Sequence, residues 1–341
     1  MKTYKIPTGY LFTDNYSKGE LETLSIGDYG KSKNIKADFL GFTNEINGVE
    51  NGFCKPLSEK WVITVSTEYG CFQNCRFCSV PNIKYKGGVS FDDLLNQFIN
   101  ARNLFPEVKY TDRLNLHFAR CGCPIVSPNV NKFARYLYEN KKYLQELLDL
   151  RIEVLHPVLT TSLPNRLNFL EERLLDWCDI KNNLYNGQAG LQFSINSTNE
   201  DQRQEMFNGH SLTLKEFSKL ADKLPEPIGR KYCLNFAYST DFEIDGKIIS
   251  DLFDSKKFMC KITPIHNNQE CRKNNIQTVD GYVSYHPYKK PEQSLKENGF
   301  DVLVFVPSQD EESGAVTCGN LILGGDSVEI SDHHKIFGSN T

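Results

Sequence analysis

The stretch STEYGCFQNCRFCSV, residues 66–80, places three cysteines, Cys71, Cys75 and Cys78, within eight positions. Because three is an odd number, these thiols cannot all pair with one another as disulfides. The whole chain has 11 cysteines, and in a reducing compartment such a count indicates metal or redox chemistry before disulfides. We therefore interpret the stretch as the loop of a metal or redox site.

Three kinds of site fit this spacing. A structural zinc ion takes four ligands, and Cys121 or Cys123 would supply the fourth. A thioredoxin-like redox pair within Cys75-Arg-Phe-Cys78 leaves the third cysteine without a role. A 4Fe–4S cluster held by three thiolates leaves one iron without a protein ligand, and that iron can bind a small molecule. The spacing alone leaves these three interpretations open.

The bulk composition describes a globular protein without a strong charge bias. The 341 residues are 39% hydrophobic and 24% charged, with a formal net charge of −4. No signal-like N-terminus and no apolar run of about 20 residues is present, so we expect a cytoplasmic protein with no membrane partner. The basic residues at 84–86 and 289–290 form only a modest patch, and the net charge neither supports nor excludes an RNA substrate.

A repeating strand–helix pattern runs from residue 59 onwards. Strands rich in β-branched and aromatic residues are predicted at 61–67, 113–120, 153–162, 190–197, 231–239, 260–267 and 301–307. Helix-period segments separate them, which indicates βαβ units and a parallel sheet. We predict an α/β fold, an incomplete parallel (β/α)6 TIM-like barrel over 59–325. It is preceded by a short β-rich N-terminal extension, 1–58, and followed by a tail, 326–341.

The polar motifs of the chain fall at the predicted strand ends. The cysteine loop follows the first strand, ARCGCP (119–124) the second, TTS (160–162) the third, SINS (194–197) the fourth and HNN (266–268) the sixth. In parallel barrels the chemistry lies at the carboxyl ends of the strands. The pattern therefore places one composite site at that edge.

The cysteine spacing, Cys-x₃-Cys-x₂-Cys with Phe77 before the last cysteine, resembles the signature of the radical S-adenosylmethionine (SAM) superfamily. The resemblance implies a 4Fe–4S cluster on Cys71, Cys75 and Cys78. It also implies that the open iron chelates the amino and carboxylate groups of SAM, and that an electron from the cluster splits SAM to give a 5′-deoxyadenosyl radical.

A closer resemblance covers roughly residues 59–325. The loop TEYGCFQNCRFCS is similar to that of the RNA adenine methylases that modify carbon-2 of 23S rRNA and tRNA adenines, and of the related carbon-8 antibiotic-resistance methylases. The segments that match further along are HFARCGCPIVSPNV (117–130), VLTTSLPNRLNFL (158–170), LQFSINSTNEDQRQEMF (191–207), ITPIHNN (262–268) and SGAVTCGNL (313–321).

The resemblance implies a role for each matched residue. Cys318 would accept a methyl group from one SAM by nucleophilic displacement. The radical from a second SAM would abstract hydrogen from that S-methyl group, and the methylene radical would add to the aromatic carbon. The SAM pocket would comprise Gly122, Thr160, Ser194, Asn196 and Asn268. A flavodoxin-like protein would supply the electrons, and the oligomeric state stays open.

Three features depart from the family pattern. The glutamate expected to bind the SAM ammonium is Cys123, and the second catalytic cysteine, seven residues before Cys71, is Thr64. Cys54, Cys121 or Cys123 would have to replace that thiol. The family's helical RNA-binding domain before the barrel is replaced by the short extension.

We therefore expect a radical SAM methyltransferase that acts on an adenine carbon of RNA through Cys318. A radical SAM enzyme of the same fold acting on another nucleotide, a peptide or a metabolite is the first alternative. A non-catalytic binding protein that keeps the metal for structure is the second.

Overall fold

The computed structural model describes residues 1–6, 9–27, 56–265, 268–278, 286–305 and 322. Its strands are β1 (Lys2–Ile6), β2 (Gly9–Tyr16), β3 (Gly19–Gly27), β4 (Trp61–Val65), β5 (Glu68–Tyr69), β6 (Gly87–Gly88), β7 (Tyr110–Phe118), β8 (Arg151–Thr161), β9 (Gly190–Ser194), β10 (Tyr232–Tyr238), β11 (Phe258–Pro264) and β12 (Val302–Val304). Each of the seven strands predicted after residue 59 is present.

Helices occupy the connections between the parallel strands. They are α1 (Phe91–Asn103), α2 (Pro128–Glu139), α3 (Lys141–Leu147), α4 (Leu170–Asp179), α5 (Glu200–Met206), α6 (Leu214–Lys223), α7 (Gly246–Leu252), α8 (Gln269–Lys273) and α9 (His286–Glu297). Short 3₁₀ turns lie at Val80–Asn82 and Pro124–Val126, and a π-helical turn at Ile180–Leu184 extends α4. Within the described ranges, no helix has the length and apolar character needed to cross a membrane.

Ten strands form one sheet in the order β1-β2-β3-β4-β7-β8-β9-β10-β11-β12. The strands from β4 to β12 in this order are parallel, and β1, β2 and β3 are antiparallel to their neighbours. The predicted incomplete barrel is not confirmed, because the described strands form a single ten-stranded, mostly parallel sheet. The N-terminal strands are present as expected, but they continue the main sheet, because β3 pairs with β4 from Leu24–Thr64 to Gly27–Trp61.

The two faces of the sheet differ sharply in chemistry because side chains alternate along each strand. One face is apolar and fully buried, and the helices pack on it, as shown by the ring contacts of Phe118 with Phe133 and Trp177 and of Phe193 with Phe217. The opposite face is polar. It carries Thr64, His117, His156, Thr160, Gln192, Ser194, Asn235 and Lys261, which the strand register places side by side.

A buried glutamine joins α1 to the strand that precedes the cysteine loop. Gln97 Oε1 accepts the Thr23 hydroxyl at 2.9 Å and the Ser66 N–H at 2.8 Å. Its Nε2 donates to the Ser66 carbonyl at 3.0 Å and to the Asp93 carbonyl at 3.3 Å. All four hydrogen-bonding positions of the amide are used, which is the condition for burying it without a net cost. These bonds hold Ser66, the first residue of the stretch STEYGCFQNCRFCSV, in place.

A buried ion pair fastens the N-terminal strands to the end of β7. Glu22 on β3 and Arg120 after β7 pair with side-chain exposures of 0% and 1%. Glu22 Oε2 also accepts the backbone N–H of Ile322 at 3.4 Å, which brings a C-terminal residue to the same point.

Replacing Arg120 with methionine is expected to lower the free energy of unfolding by about 3–5 kcal/mol, because it leaves the Glu22 carboxylate buried without its cation. The matched control is Lys109→Met, which removes an exposed partner of Asp149 and should cost less than about 1 kcal/mol. Urea denaturation followed by circular dichroism measures both. Equal losses in the two variants would contradict the structural role of the buried pair.

Candidate active site at the carboxyl ends of the strands

The cysteine loop crosses the carboxyl edge of the parallel sheet and is held by residues after β8 and β11 and by the carboxyl end of α5. Gln73 Nε2 donates to the Ser162 hydroxyl, after β8, at 2.7 Å. The Arg76 N–H donates to the Met206 carbonyl of α5 at 2.9 Å. Asn268, after β11, donates through Nδ2 to the Phe77 carbonyl at 2.8 Å. The structure therefore gathers at one edge the motifs that the sequence places far apart.

Cys71, Cys75 and Cys78 are reduced and half-buried on this loop. Burial raises the pKa of Cys75 well above its ordinary value, and the neighbouring Cys78 and Cys123 thiols raise it further. Burial, then the Glu68 carboxylate and the other two thiols, does the same to the pKa of Cys71. The thiols are thus close enough to act on one another electrostatically. Bound iron would reverse these shifts, because a coordinating thiol is deprotonated.

Within the described ranges, no three His, Cys, Asp or Glu side chains converge to hold a single metal ion. A 4Fe–4S cluster poses a different geometric requirement, because each thiolate ligates a separate iron. Three neighbouring, reduced, half-exposed thiols are a donor set of the chemical type that such a cluster uses. The assignment of Cys71, Cys75 and Cys78 as its ligands stays a prediction.

The segment after β7 is hydrogen-bonded directly to the segment after β4. The Cys121 carbonyl accepts the N–H groups of Thr67 at 2.8 Å and Glu68 at 3.1 Å. Gly122 follows with φ +90°, and a Cβ at that position would lie 2.4 Å from the Cβ of Glu68. Only glycine allows this backbone conformation and this approach together.

Glu68 was not singled out by the sequence reasoning, although it lies inside the quoted stretch. Its side chain is fully buried, and Oε2 accepts the Cys123 N–H at 2.6 Å. Burial raises its pKa to about 7, against the lowering effect of the Cys123 amide and the Tyr85 hydroxyl. Oε1 has no hydrogen-bond partner of normal geometry, although the Tyr85 hydroxyl is near enough to affect the pKa. The feature that could have indicated Glu68 is its charge, because it is a charged residue in a two-residue strand that is buried.

The other predicted SAM-pocket residues lie along the same edge. Thr160 and Ser194 are half-buried at the ends of β8 and β9. Asn196 is buried with φ +66°. Its Oδ1 accepts the Ala237 N–H at 3.0 Å, and its Nδ2 has no hydrogen-bond partner. Asn268 caps α8 and anchors the cysteine loop, so its amide is already engaged. Their contacts with SAM stay predictions.

Arg203 fixes the end of β9 and was also missed by the sequence reasoning. The guanidinium is fully buried; it donates to the carbonyls of Ser194 at 3.1 Å and Ile195 at 2.9 Å, and to the Ser211 hydroxyl at 2.7 Å. Burial lowers its pKa to about 10. The residue therefore positions the strand end on which Ser194 and Asn196 stand.

Two histidines, the half-buried His117 and the buried His156, lie on the polar face of the sheet. Burial lowers the pKa of His117 to about 3, and the nearby Lys261, Lys60 and Arg230 lower it further. Burial and Arg230 likewise lower the pKa of His156, whose Nε2 lies 3.3 Å from an Arg230 nitrogen. Both imidazoles are therefore neutral in a region of positive charge.

Several residues predicted from the sequence concern the second catalytic cysteine of the RNA methylases, whose position is taken here by Thr64. Thr64 is half-buried on the polar face, opposite His117 in the register. Cys121 and Cys123 are buried, and burial raises the pKa of Cys123. Cys54, Cys318 and the tail 326–341 lie outside the described residues.

Comparison with known proteins gives a likeness of fold. No protein-family model and no curated protein matches the chain. A solved radical SAM methyltransferase from Sphaerobacter thermophilus is similar in structure, with a TM-score of 0.52 and 13% sequence identity, over 89% of this chain and 75% of that chain. At this identity the likeness shows that the chain has the fold of a radical SAM methyltransferase.

Replacing Gly122 with alanine is expected to lower the free energy of unfolding by about 2–5 kcal/mol, because backbone strain at positive φ adds to the overlap with Glu68. Gly209→Ala is the matched control, since Gly209 has φ +68° and no atom lies within 4 Å of the position that its Cβ would take. It should show only the strain, about 1 kcal/mol. Equal costs in urea denaturation would mean that Glu68 does not occupy the space beside Gly122.

Proposed function

We propose that this chain is a radical SAM enzyme that methylates an adenine carbon of RNA, with Cys318 as the methyl carrier. The observation that carries the radical SAM part is the position of the cysteine loop. Cys71, Cys75 and Cys78 lie on one loop at the carboxyl edge of a parallel sheet, and this loop is hydrogen-bonded to residues after β8 and β11 and to the carboxyl end of α5. The likeness of fold to a radical SAM methyltransferase supports the same assignment.

In this proposal the three cysteines hold the 4Fe–4S cluster, and Gly122, Thr160, Ser194, Asn196 and Asn268 surround SAM. A cluster held there would supply an electron for reductive cleavage of bound SAM. The protein contributes strand ends whose positions are fixed by buried contacts such as those of Arg203 and Gln97.

Cys318 enters the proposal through its sequence context and through its neighbour Ile322. Ile322 lies four residues after Cys318, and its N–H contacts Glu22, the partner of Arg120. Arg120 directly precedes the Cys121-Gly122-Cys123 segment of the site. In the reaction the Cys318 sulfur attacks the SAM methyl carbon, a new C–S bond forms, the sulfonium C–S bond breaks and S-adenosylhomocysteine leaves.

The RNA substrate is the least constrained part of the proposal. The polar face of the sheet carries positive charge from Lys60, Lys261 and Arg230 around two neutral histidines, which suits a phosphate-bearing substrate. Thr64, standing where the family has a thiol, favours the second candidate, a radical SAM enzyme of the same fold that acts on another nucleotide, a peptide or a metabolite. A flavodoxin-like reductant completes either proposal.

Changing Cys71, Cys75 or Cys78 to alanine is expected to abolish cluster binding, because each thiolate is the sole protein ligand of one iron. After anaerobic reconstitution, iron per chain and the visible thiolate-to-iron absorption should fall to background. Cys178→Ala, a buried core cysteine of α4, should keep both and still release 5′-deoxyadenosine on reduction with SAM. A full cluster in any of the three loop variants would remove that residue from the ligand set.

The Cys318 proposal is tested by mass spectrometry of the C-terminal peptide after incubation with SAM. We expect the mass of a methyl group on Cys318, and complete loss of RNA methylation in Cys318→Ala with iron content and 5′-deoxyadenosine release retained. Cys260→Ala, which changes another buried cysteine, should methylate normally. Radical formation without any mark on Cys318 would reject the methyl-carrier mechanism and support the second candidate.

A further inference from the structure

Glu68 is a fully buried carboxylate with one unsatisfied oxygen. Its Oε2 accepts the Cys123 N–H at 2.6 Å, whereas Oε1 is shielded from solvent and has no hydrogen-bond partner of normal geometry, although the Tyr85 hydroxyl lies near the carboxylate. Buried polar atoms in folded proteins are nearly always paired, and an exception calls for a bound group or ion that completes it. Oε1 of Glu68 is therefore a candidate contact for a bound group.

The surroundings of Glu68 favour a cation at that place. In the described part of the chain, the groups recorded around its carboxylate are the Cys123 amide, the Tyr85 hydroxyl and the thiols of Cys71 and Cys123. None of these is a cation. A buried carboxylate is stable only when it is paired or neutralised, so a positively charged donor is the complementary ligand.

The backbone holds Glu68 in this position from both sides. Its N–H donates to the Cys121 carbonyl at 3.1 Å, and its side chain lies in the space left by the missing Cβ of Gly122. Cys71, three residues along, is one of the proposed cluster ligands. The carboxylate is thus fixed between the cysteine loop and the segment 121–123, where a ligand of the cluster would lie.

We propose that Glu68 accepts a hydrogen bond from the amino group of SAM, an inference that rests on the function proposed above. SAM carries two groups that attract a carboxylate, the sulfonium and the methionine amino group, whose nitrogen gives its lone pair to iron or to a proton. Only the amino group has N–H donors, which an orphaned carboxylate oxygen requires. Glu68 would thus perform the task for which Cys123, a thiol, is unsuited.

The test measures binding of three ligands to the reconstituted protein by equilibrium dialysis. SAM carries both the sulfonium and the methionine amino group, S-adenosylhomocysteine carries only the amino group, and 5′-methylthioadenosine carries neither. In Glu68→Gln, which keeps the size of the side chain, SAM and S-adenosylhomocysteine should bind about 10- to 100-fold more weakly. The affinity for 5′-methylthioadenosine and the iron content should stay those of the wild type.

Glu205→Gln is the control, because Glu205 is an exposed acid that pairs with Arg76 of the same loop, and its affinities should not change. Loss of SAM affinity alone in Glu68→Gln would mean that the carboxylate faces the sulfonium. Equal loss of affinity for all three ligands, or loss of iron, would mean that Glu68 has a structural role. Either result overturns the inference. Unchanged affinities overturn it as well. A wild-type protein that holds its cluster but binds no SAM would instead reject the proposed function. If Glu68→Gln does not fold, Glu68→Asp is judged by the same three affinities.

Discussion

The site depends on the hydrogen bonds that join the segment after β4 to the segment after β7. One carbonyl, that of Cys121, accepts two N–H groups, those of Thr67 and Glu68. Both segments lie beyond the ends of β4 and β7, and these hydrogen bonds satisfy their backbone groups there. Gln97 fixes the base of the first segment at Ser66, and the Glu22–Arg120 pair fixes the base of the second. The cysteine loop is therefore built on a support held by buried hydrogen bonds and a buried ion pair, and precise placement of a ligand requires such support.

The second constraint is the unequal character of the two sheet faces. Parallel strands are usually buried on both faces and read as continuous apolar runs. Here the strands alternate, as in WVITV (61–65) and LNLHF (114–118), because the helices cover one face only. The polar face keeps neutral histidines and cations in contact with each other, an arrangement that costs folding free energy. Because the polar face contributes little to the hydrophobic core, its composition is consistent with a role in binding a ligand.

The sequence predicted secondary structure best where buried and exposed side chains alternate with a short, local period. The seven strands after residue 59 were predicted because β-branched and aromatic residues alternate with helix-period segments. The extent of the sheet was not predicted, because the pairing of β3 with β4 is antiparallel and depends on residues far apart in the chain. The N-terminal strands were expected as a short β-rich extension, and their pairing with the main sheet was not predicted. The incomplete barrel was inferred from the number of repeats, and local patterns do not determine how far a sheet curves.

The sequence by itself predicted a metal or redox role for the cysteine loop and determined its place at a strand end. Residue type and spacing suffice for that prediction, because Cys71, Cys75 and Cys78 lie within one short loop. Only the tertiary structure decided which distant residues support the loop, namely Ser162, Met206 and Asn268. Only the structure, too, revealed Glu68 as a buried carboxylate with an unpartnered oxygen, since burial and hydrogen bonding are properties of the packed chain. The sequence STEYGC does not reveal the environment of Glu68, because that environment is formed only when Gly122 and Cys123 pack against it.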